Sequence, residues 1–239
     1  MRKYLYKIIL FFVAIMLIFT SSIYAEEIKQ SKYKIETDTN EFSLYVIESN
    51  TFKVVKRYPV ALGKKETPSP IGCWKISSKA LKNHVFGGYW LGLNVPWDTF
   101  GIHGTNRPDS IGSLSSNGCI RMYNQNIEEL FYMIDYDTPV IVYSGPSWIF
   151  SSYVRNINPN DKGADVYEVQ KILNAMGYYN GPFNGIYDYP LIKAVQRYKM
   201  DYGFDYENYT LDMKFLNSIG IYKFCLLYTS PSPRDTERS

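Results

Sequence analysis

The feature that most constrains this chain is a change of hydrophobic period part-way along it. Up to Tyr143 the apolar residues come in short β-branched and aromatic runs, at 42–47, 52–62 and 140–143, punctuated by Gly and Pro. That pattern suits half-buried strands bounded by turns. Ser144-Gly145-Pro146-Ser147 then marks an exit loop. Beyond it Val166, Val169, Ile172, Leu173 and Met176 recur at helical spacing, Gly177 closes the stripe, and Ile192, Val195 and Tyr198 open another. The chain therefore reads as a mostly β domain, of sandwich or barrel type with one or two helices, followed by a small all-α domain. Within the first, Ile127, Leu130, Phe131 and Ile134 predict a helix over 126–136.

Charge sorts the possible partners. The formal net charge of +3 is matched by Arg2, Lys3 and Lys7 in a leading segment that holds no acid. The remainder is balanced, so a basic nucleic-acid surface has no support. Residues 8–19 are uninterrupted apolar, and Ser21, Ser22 and Ala25 supply small residues before Glu26-Glu27. This reads as a secretory signal over 1–25, cleaved after Ala25, which places the mature chain outside the cytoplasmic membrane. An uncleaved anchor is the rival reading, although the apolar run falls short of the roughly 20 residues that span a bilayer. Contact with a membrane is expected only through this segment.

The chemistry-bearing stretch runs from Gly101-Ile102-His103-Gly104-Thr105 to Ser116-Asn117-Gly118-Cys119-Ile120-Arg121-Met122. A thiol with an ordinary pKa of about 8.5 is mostly protonated at neutral pH, so a cysteine that attacks acyl carbons needs a base beside it. His103 can serve Cys119 in that way. A turn led by Asn117-Gly118 would project the cysteine and leave the Gly118 and Cys119 amides free for an oxyanion. Arg121 would share a face with Cys119 on a strand, where it could hold a carboxylate or favour the thiolate. For an arbitrary pair, a packed thiol and a structural histidine remain the ordinary alternatives.

At these residues the chain resembles the L,D-transpeptidase catalytic domain, the YkuD family. The I-H-G-T segment is Ile102-His103-Gly104-Thr105, Ser110-Ile111-Gly112 follows, and the S-x-G-C-I-R segment is Ser116 to Arg121, with Asn117 where many members carry histidine. Upstream, Thr67-Pro68-Ser69-Pro70-Ile71-Gly72 resembles the family's T-P-x-P-x-G, and Thr138-Pro139-Val140-Ile141-Val142 resembles its closing strand. The resemblance implies that Cys119 is the nucleophile and His103 the general base and then acid. The Gly104 carbonyl would orient the His103 ring and Arg121 would support the site. Ser116, Asn117, Gly118, Thr105 and Trp90 would meet substrate. The implied reaction opens the tetrapeptide stem of peptidoglycan, releases D-alanine, and passes the acyl group to a second stem as a 3→3 cross-link. Stem peptides and glycan are the implied partners, carbapenem β-lactams the implied inhibitors, and no metal or organic cofactor is called for. L,D-carboxypeptidase, sortase-like or papain-like enzyme, and non-catalytic wall-binding protein stay open as alternatives. Sortases, however, hold their arginine and histidine far from the cysteine in sequence.

The helical segment resembles the type 1 peptidoglycan-binding domain. Gly163-Ala164-Asp165-Val166, Gln170, Leu173 and Gly177-Tyr178-Tyr179-Asn180-Gly181 carry that likeness, while Asn184, Asp188 and Lys199 stand where the family has Asp, Gly and Gln. The expected layout is a catalytic domain over 31–144, a linker over 145–160 and the helical domain over 161–222. Residues 225–239 break from the preceding composition and resemble the translation of a sequencing adaptor, the natural chain continuing differently after about Phe224; a disordered Ser/Pro tail is the other reading. Without Cys225 only Cys73 and Cys119 remain, which is no disulfide framework. Cys73 is expected to be a packed thiol, with a bond to Cys119 as a minor alternative. His84 is expected on a loop over the cleft, with Tyr89 and Trp97 as further candidates to line a substrate groove.

Overall fold

The computed structural model describes residues 31–144 and 155–221. The expected export signal, the first part of the expected linker and the 225–239 tail lie outside the described residues. Ten strands form in the first segment: β1 (Tyr33–Asp38), β2 (Ser43–Glu48), β3 (Val54–Pro59), β4 (Leu62–Gly63), β5 (Gly72–Leu81), β6 (Tyr89–Leu93), β7 (Gly101–His103), β8 (Leu114–Ser116), β9 (Ile120–Arg121) and β10 (Pro139–Tyr143). Eight of them make one sheet in the order β3-β2-β1-β10-β5-β6-β7-β9, and β4 pairs with β8.

The ends of that order come together. Ala61 lies two residues beyond the end of β3, yet it exchanges both backbone hydrogen bonds with Arg121 of β9, each 2.9 Å long. Two extended residues span only about 7 Å, so the sheet must curl until its first and last strands are near neighbours. The domain is a curled, barrel-like sheet. Its interior holds Ile35, Leu44, Val46, Ile76, Leu91, Ile102, Ile120, Val140 and Val142, all fully buried. Alternation along β5 sends Trp74 and Ile76 inward and turns Cys73 outward. The expectation of a packed Cys73 is therefore corrected: it is exposed, and both Cys73 and Cys119 are free thiols.

One helix, α1 (Asn124–Met133), lies on β6 and β7 and buries Ile127 and Leu130. It starts two residues before the expected 126 and stops short of 136 because Ile134 adopts extended backbone. Lys79 of β5 closes its end, donating from Nζ to the Phe131 and Ile134 carbonyls at 2.7 and 2.5 Å. A cation there satisfies carbonyls that the last turn leaves unpaired.

The second segment holds α2 (Ala164–Ala175), α3 (Tyr189–Asp201) and α4 (Met213–Ser218) around their own core of Val166, Val169, Leu173, Tyr187, Leu191, Val195, Tyr198 and Phe215. Asp188 and Asp212 cap α3 and α4 through side-chain acceptance of the Leu191 and Phe215 amides. The fully buried Gln170 accepts from the Gly185 amide and donates to Asn184 Oδ1 and the Ile186 carbonyl, at 2.7–3.0 Å. Asn184 is thus a structural link in the loop before α3. Lys199 is likewise internal, its Nζ donating to the Asn208 and Thr210 carbonyls.

Candidate active site

The site grows from the pairing of β7 with β9. These strands run parallel, with Ile102 opposite Ile120 and His103 opposite Arg121. Both isoleucines are fully buried in the barrel. Since side chains alternate, His103 and Arg121 leave the sheet on its other face. Cys119 lies immediately before β9, with its thiol near the Gly101 amide of β7 and the Arg121 guanidinium.

His103 is fixed on every side. Its Nδ1 lies 2.5 Å from the Gly104 carbonyl, so the neutral ring donates from Nδ1 and keeps Nε2 as the accepting nitrogen. This is the contact expected of Gly104. Trp90 lies directly opposite on β6 and stacks on the ring at 5.6 Å and 21°, while Phe86 meets it edge-on at 4.9 Å. The ring is 5% exposed. Burial pulls its pKa down to about 4; the Gly104 hydrogen bond opposes that pull, and the Arg121 charge adds to it.

Gly104 cannot carry a side chain. A Cβ there would sit 2.5 Å from Asn124 Oδ1 and 2.8 Å from the Gly87 Cα. The Gly104 amide donates to the Phe86 carbonyl at 2.9 Å, and Asn124 Oδ1, at the start of α1, accepts from the Thr105 amide at 2.8 Å. Asn124 thereby holds the peptide that orients the histidine. Neither Phe86 nor Asn124 is evident as a site residue from sequence. The only local sign is the Gly87-Gly88 pair, which lets the 83–88 loop close onto Gly104.

The nucleophile turn is built by Ser116. Its hydroxyl donates to the Cys119 carbonyl at 2.6 Å and accepts from the Gly118 amide at 3.0 Å. Gly118 takes φ +111°, where a Cβ would lie 2.4 Å from Phe100 Cε1. Two expectations change here. The Gly118 amide is not free for an oxyanion, because the Ser116 hydroxyl holds it. Ser116 is 1% exposed and fully engaged, so it positions the turn instead of meeting substrate. The same correction applies to Thr105, buried with its hydroxyl accepting from the Arg107 amide at 3.0 Å, and to Trp90, buried beneath His103.

Cys119 is half-buried, and burial raises its thiol pKa above the ordinary value. The Gly101 amide and Arg121 pull it down and Asp98 pushes it up, but desolvation dominates. The resting site is accordingly a neutral thiol beside a neutral imidazole. Arg121 tempers the sulfur without ionising it, and among the described residues it makes no ion pair; its guanidinium only reaches the Ser115 carbonyl, at 3.5 Å. Asn117 is exposed and lines a cavity of about 430 Å³ beside the turn. His84 is exposed on the 83–88 loop; Phe86 of that loop is the residue that reaches the site. Tyr89 hydrogen-bonds Glu128 and packs on Phe131, and Trp97 is buried near the cavity floor. Among the described residues no three His, Cys, Asp or Glu side chains converge as a metal site.

A thiol, an imidazole with an accepting Nε2 and a guanidinium, gathered where β7 pairs with β9, have the parts of a cysteine acyl-transfer centre. The family comparison points the same way: residues 32–142 match the model of the L,D-transpeptidase catalytic domain, YkuD, and residues 162–206 match the model of a peptidoglycan binding domain. The chain is 39% identical over 111 residues to the YkuD protein of Bacillus licheniformis, covering 46% of this chain and 65% of that protein. It is 42% identical over 91 residues to the Bacillus subtilis YkuD, covering 38% and 54%. The chain thus spans about half to two thirds of the length of these curated relatives. The solved catalytic domain of the E. faecium L,D-transpeptidase shares 25% identity at a TM-score of 0.41, covering 48% of this chain and 99% of that one.

Proposed function

We propose that the chain is an exported L,D-transpeptidase that opens the tetrapeptide stem of peptidoglycan through a Cys119 acyl-enzyme and makes 3→3 cross-links. The observation that carries this reading is the strand pairing that sets His103 opposite Arg121 with Cys119 immediately before β9, and His103 Nδ1 tied to the Gly104 carbonyl. Cys119 Sγ attacks the stem carbonyl while its proton passes to His103 Nε2. The tetrahedral oxyanion forms beside the Cys119 amide. Its collapse breaks the bond to the terminal D-alanine, whose nitrogen takes the proton back from the imidazolium. A side-chain amine of a second stem then attacks the thioester, gives its proton to His103 and restores the thiol. At neutral pH the imidazole is already deprotonated, so Nε2 is open to take the thiol proton. Arg121 holds a stem carboxylate.

Export is supported by the basic, apolar and small-residue succession over 1–25. A strained β-lactam carbonyl of the carbapenem type fits the same nucleophile and acylates Cys119, leaving the exposed Cys73 unmodified. Incubation of the purified chain with disaccharide-tetrapeptide, followed by muropeptide analysis, tests the reading. The expected products are D-alanine and a 3→3 dimer, absent with Cys119→Ala and His103→Ala. Turnover by Cys119→Ala equal to the parent's would overturn it.

A further inference from the structure

The catalytic and helical segments share a wall-to-wall cleft that the reaction above does not use. The cavity of about 430 Å³ is lined by the 65–71 loop, the 160–165 loop, Trp97, Phe100 and Asn117 of the nucleophile turn. Its size falls within the roughly 300–1,000 Å³ range of sites that take small ligands.

The walls are fixed with respect to each other. Trp97 meets Trp74 at 5.3 Å and Tyr167 of α2 at 5.9 Å, and Tyr167 also meets Trp74 at 5.8 Å. Gly185, at φ +66°, presses so closely on Trp97 that a Cβ would lie 2.3 Å from Cε3. Lys162 reaches across to Asp98 at 2.6 Å. That ion pair is half exposed and adds little by itself; the aromatic contacts set the spacing. A preformed cleft binds without the cost of ordering its own walls.

The chemistry of the walls narrows the occupant. Arg155 is held by Asp165 and Asp161, Lys162 by Asp98, and Lys65 is also engaged. Each cationic side chain that lines the cleft already has a partner within the protein, so none is held in reserve for an anionic ligand. What remains is a lining that mixes apolar groups, Trp97 and Phe100 among them, with amide, hydroxyl and carboxylate groups. An uncharged chain of sugar rings, with apolar ring faces and peripheral hydroxyl and acetamido groups, matches that arrangement.

We propose that this cleft is a glycan subsite built jointly by the two segments, which seats the amino-sugar strand of peptidoglycan and delivers its stem past Asn117 to Cys119. The proposal rests on the transpeptidase reading and gives the helical segment a place in the active site.

Two donors carrying the same tetrapeptide, one free and one attached to its disaccharide, test the subsite in the full chain. The parent should favour the disaccharide donor by about tenfold in kcat/KM, since binding to a remote part of a substrate can be used at the reacting centre. Glu66→Trp, which fills the cleft mouth from an exposed loop, should abolish that preference and leave the free tetrapeptide within about twofold of the parent. Lys65→Trp, on the same exposed loop, should move in the same direction and serves if Glu66→Trp fails to fold. Equal losses on both donors, or no preference in the parent, would overturn the subsite. Titration with uncharged N-acetylglucosamine oligomers adds a readout independent of turnover. The Trp97 indole N–H resonance should shift in the parent and not in Glu66→Trp, and an unmoved resonance in the parent would refute the proposal. Failure to turn over either donor, with the indole shift intact, would instead count against the transpeptidase reading.

Discussion

Acidification should destabilise this protein through one buried ring. In the unfolded chain His103 takes its proton near its ordinary value of 6.5, whereas burial between Trp90 and Phe86 delays protonation in the folded chain to about 4. The folded-state value is the lower one, so the stabilising contribution is complete above about pH 6.5 and is lost as pH falls toward 4. Each pH unit of that separation is worth about 1.4 kcal/mol. The full contribution is therefore about 3 kcal/mol, and about 2.5 kcal/mol of it is gone by pH 4.5. That is a sizeable part of the roughly 5–15 kcal/mol that holds a domain together. The assay is urea denaturation at pH 7 and pH 4.5 for the parent and for His103→Gln, which keeps a donor for the Gly104 carbonyl but cannot titrate. Carboxylates titrate over the same range in both proteins and cancel in the comparison. The parent should lose about 2–3 kcal/mol more than the variant between the two conditions. Equal losses would refute a His103 that rests buried and neutral, and with it the base assigned to Cys119.

Three further substitutions address how the site is held. Ser116→Ala should leave the buried Gly118 amide unpaired, lower stability by about 1–3 kcal/mol in denaturation, and slow turnover more than Ser116→Thr, which retains a hydroxyl. Gly118→Ala places a methyl 2.4 Å from Phe100 Cε1 at φ +111°, so backbone strain of about 1–3 kcal/mol adds to the clash and the melting temperature should fall clearly. Asn124→Ala should reduce kcat about tenfold by loosening the Thr105 amide and the Gly104 peptide beside it, whereas Asn124→Asp keeps the accepting oxygen and should restore most of the rate; equal rates in the two variants would remove Asn124 as a positioning residue.

What the sequence made legible and what it hid divide along physical lines. The change of period at Ser144 separates the β-rich segment from the helical one, and the Val166, Val169 and Leu173 stripe lies in the helical core as its spacing implies. These are local signals, repeated over many residues. The curl of the sheet depends on Ala61 meeting Arg121, which are far apart in sequence, and no local pattern announces that pair. The site shows the same contrast. His103 and Cys119 stand out through the chemistry of their side chains, but Asn124 and Phe86 act through contacts of a backbone peptide and a ring edge, made only once α1 and the 83–88 loop close on Gly104. Ser116 and Thr105 invite a substrate role because they are hydroxyls in a catalytic motif. Their burial follows from the tight turns they brace, a feature that composition does not encode. Cys73 is read wrongly for a related reason: a strand residue between Gly and Trp can face either way, and Trp74, the larger apolar group, takes the interior.

The central claim is that Cys119 carries the acyl group, and rapid-quench intact-mass measurement with peptide mapping tests it most directly. Mixing the parent with excess disaccharide-tetrapeptide in the absence of an acceptor amine should produce, before steady state, a species heavier by the donor less D-alanine, mapped to Cys119 and missing from Cys119→Ala. A parent that releases D-alanine with no adduct at any time point, or with the adduct on another residue, would contradict the account.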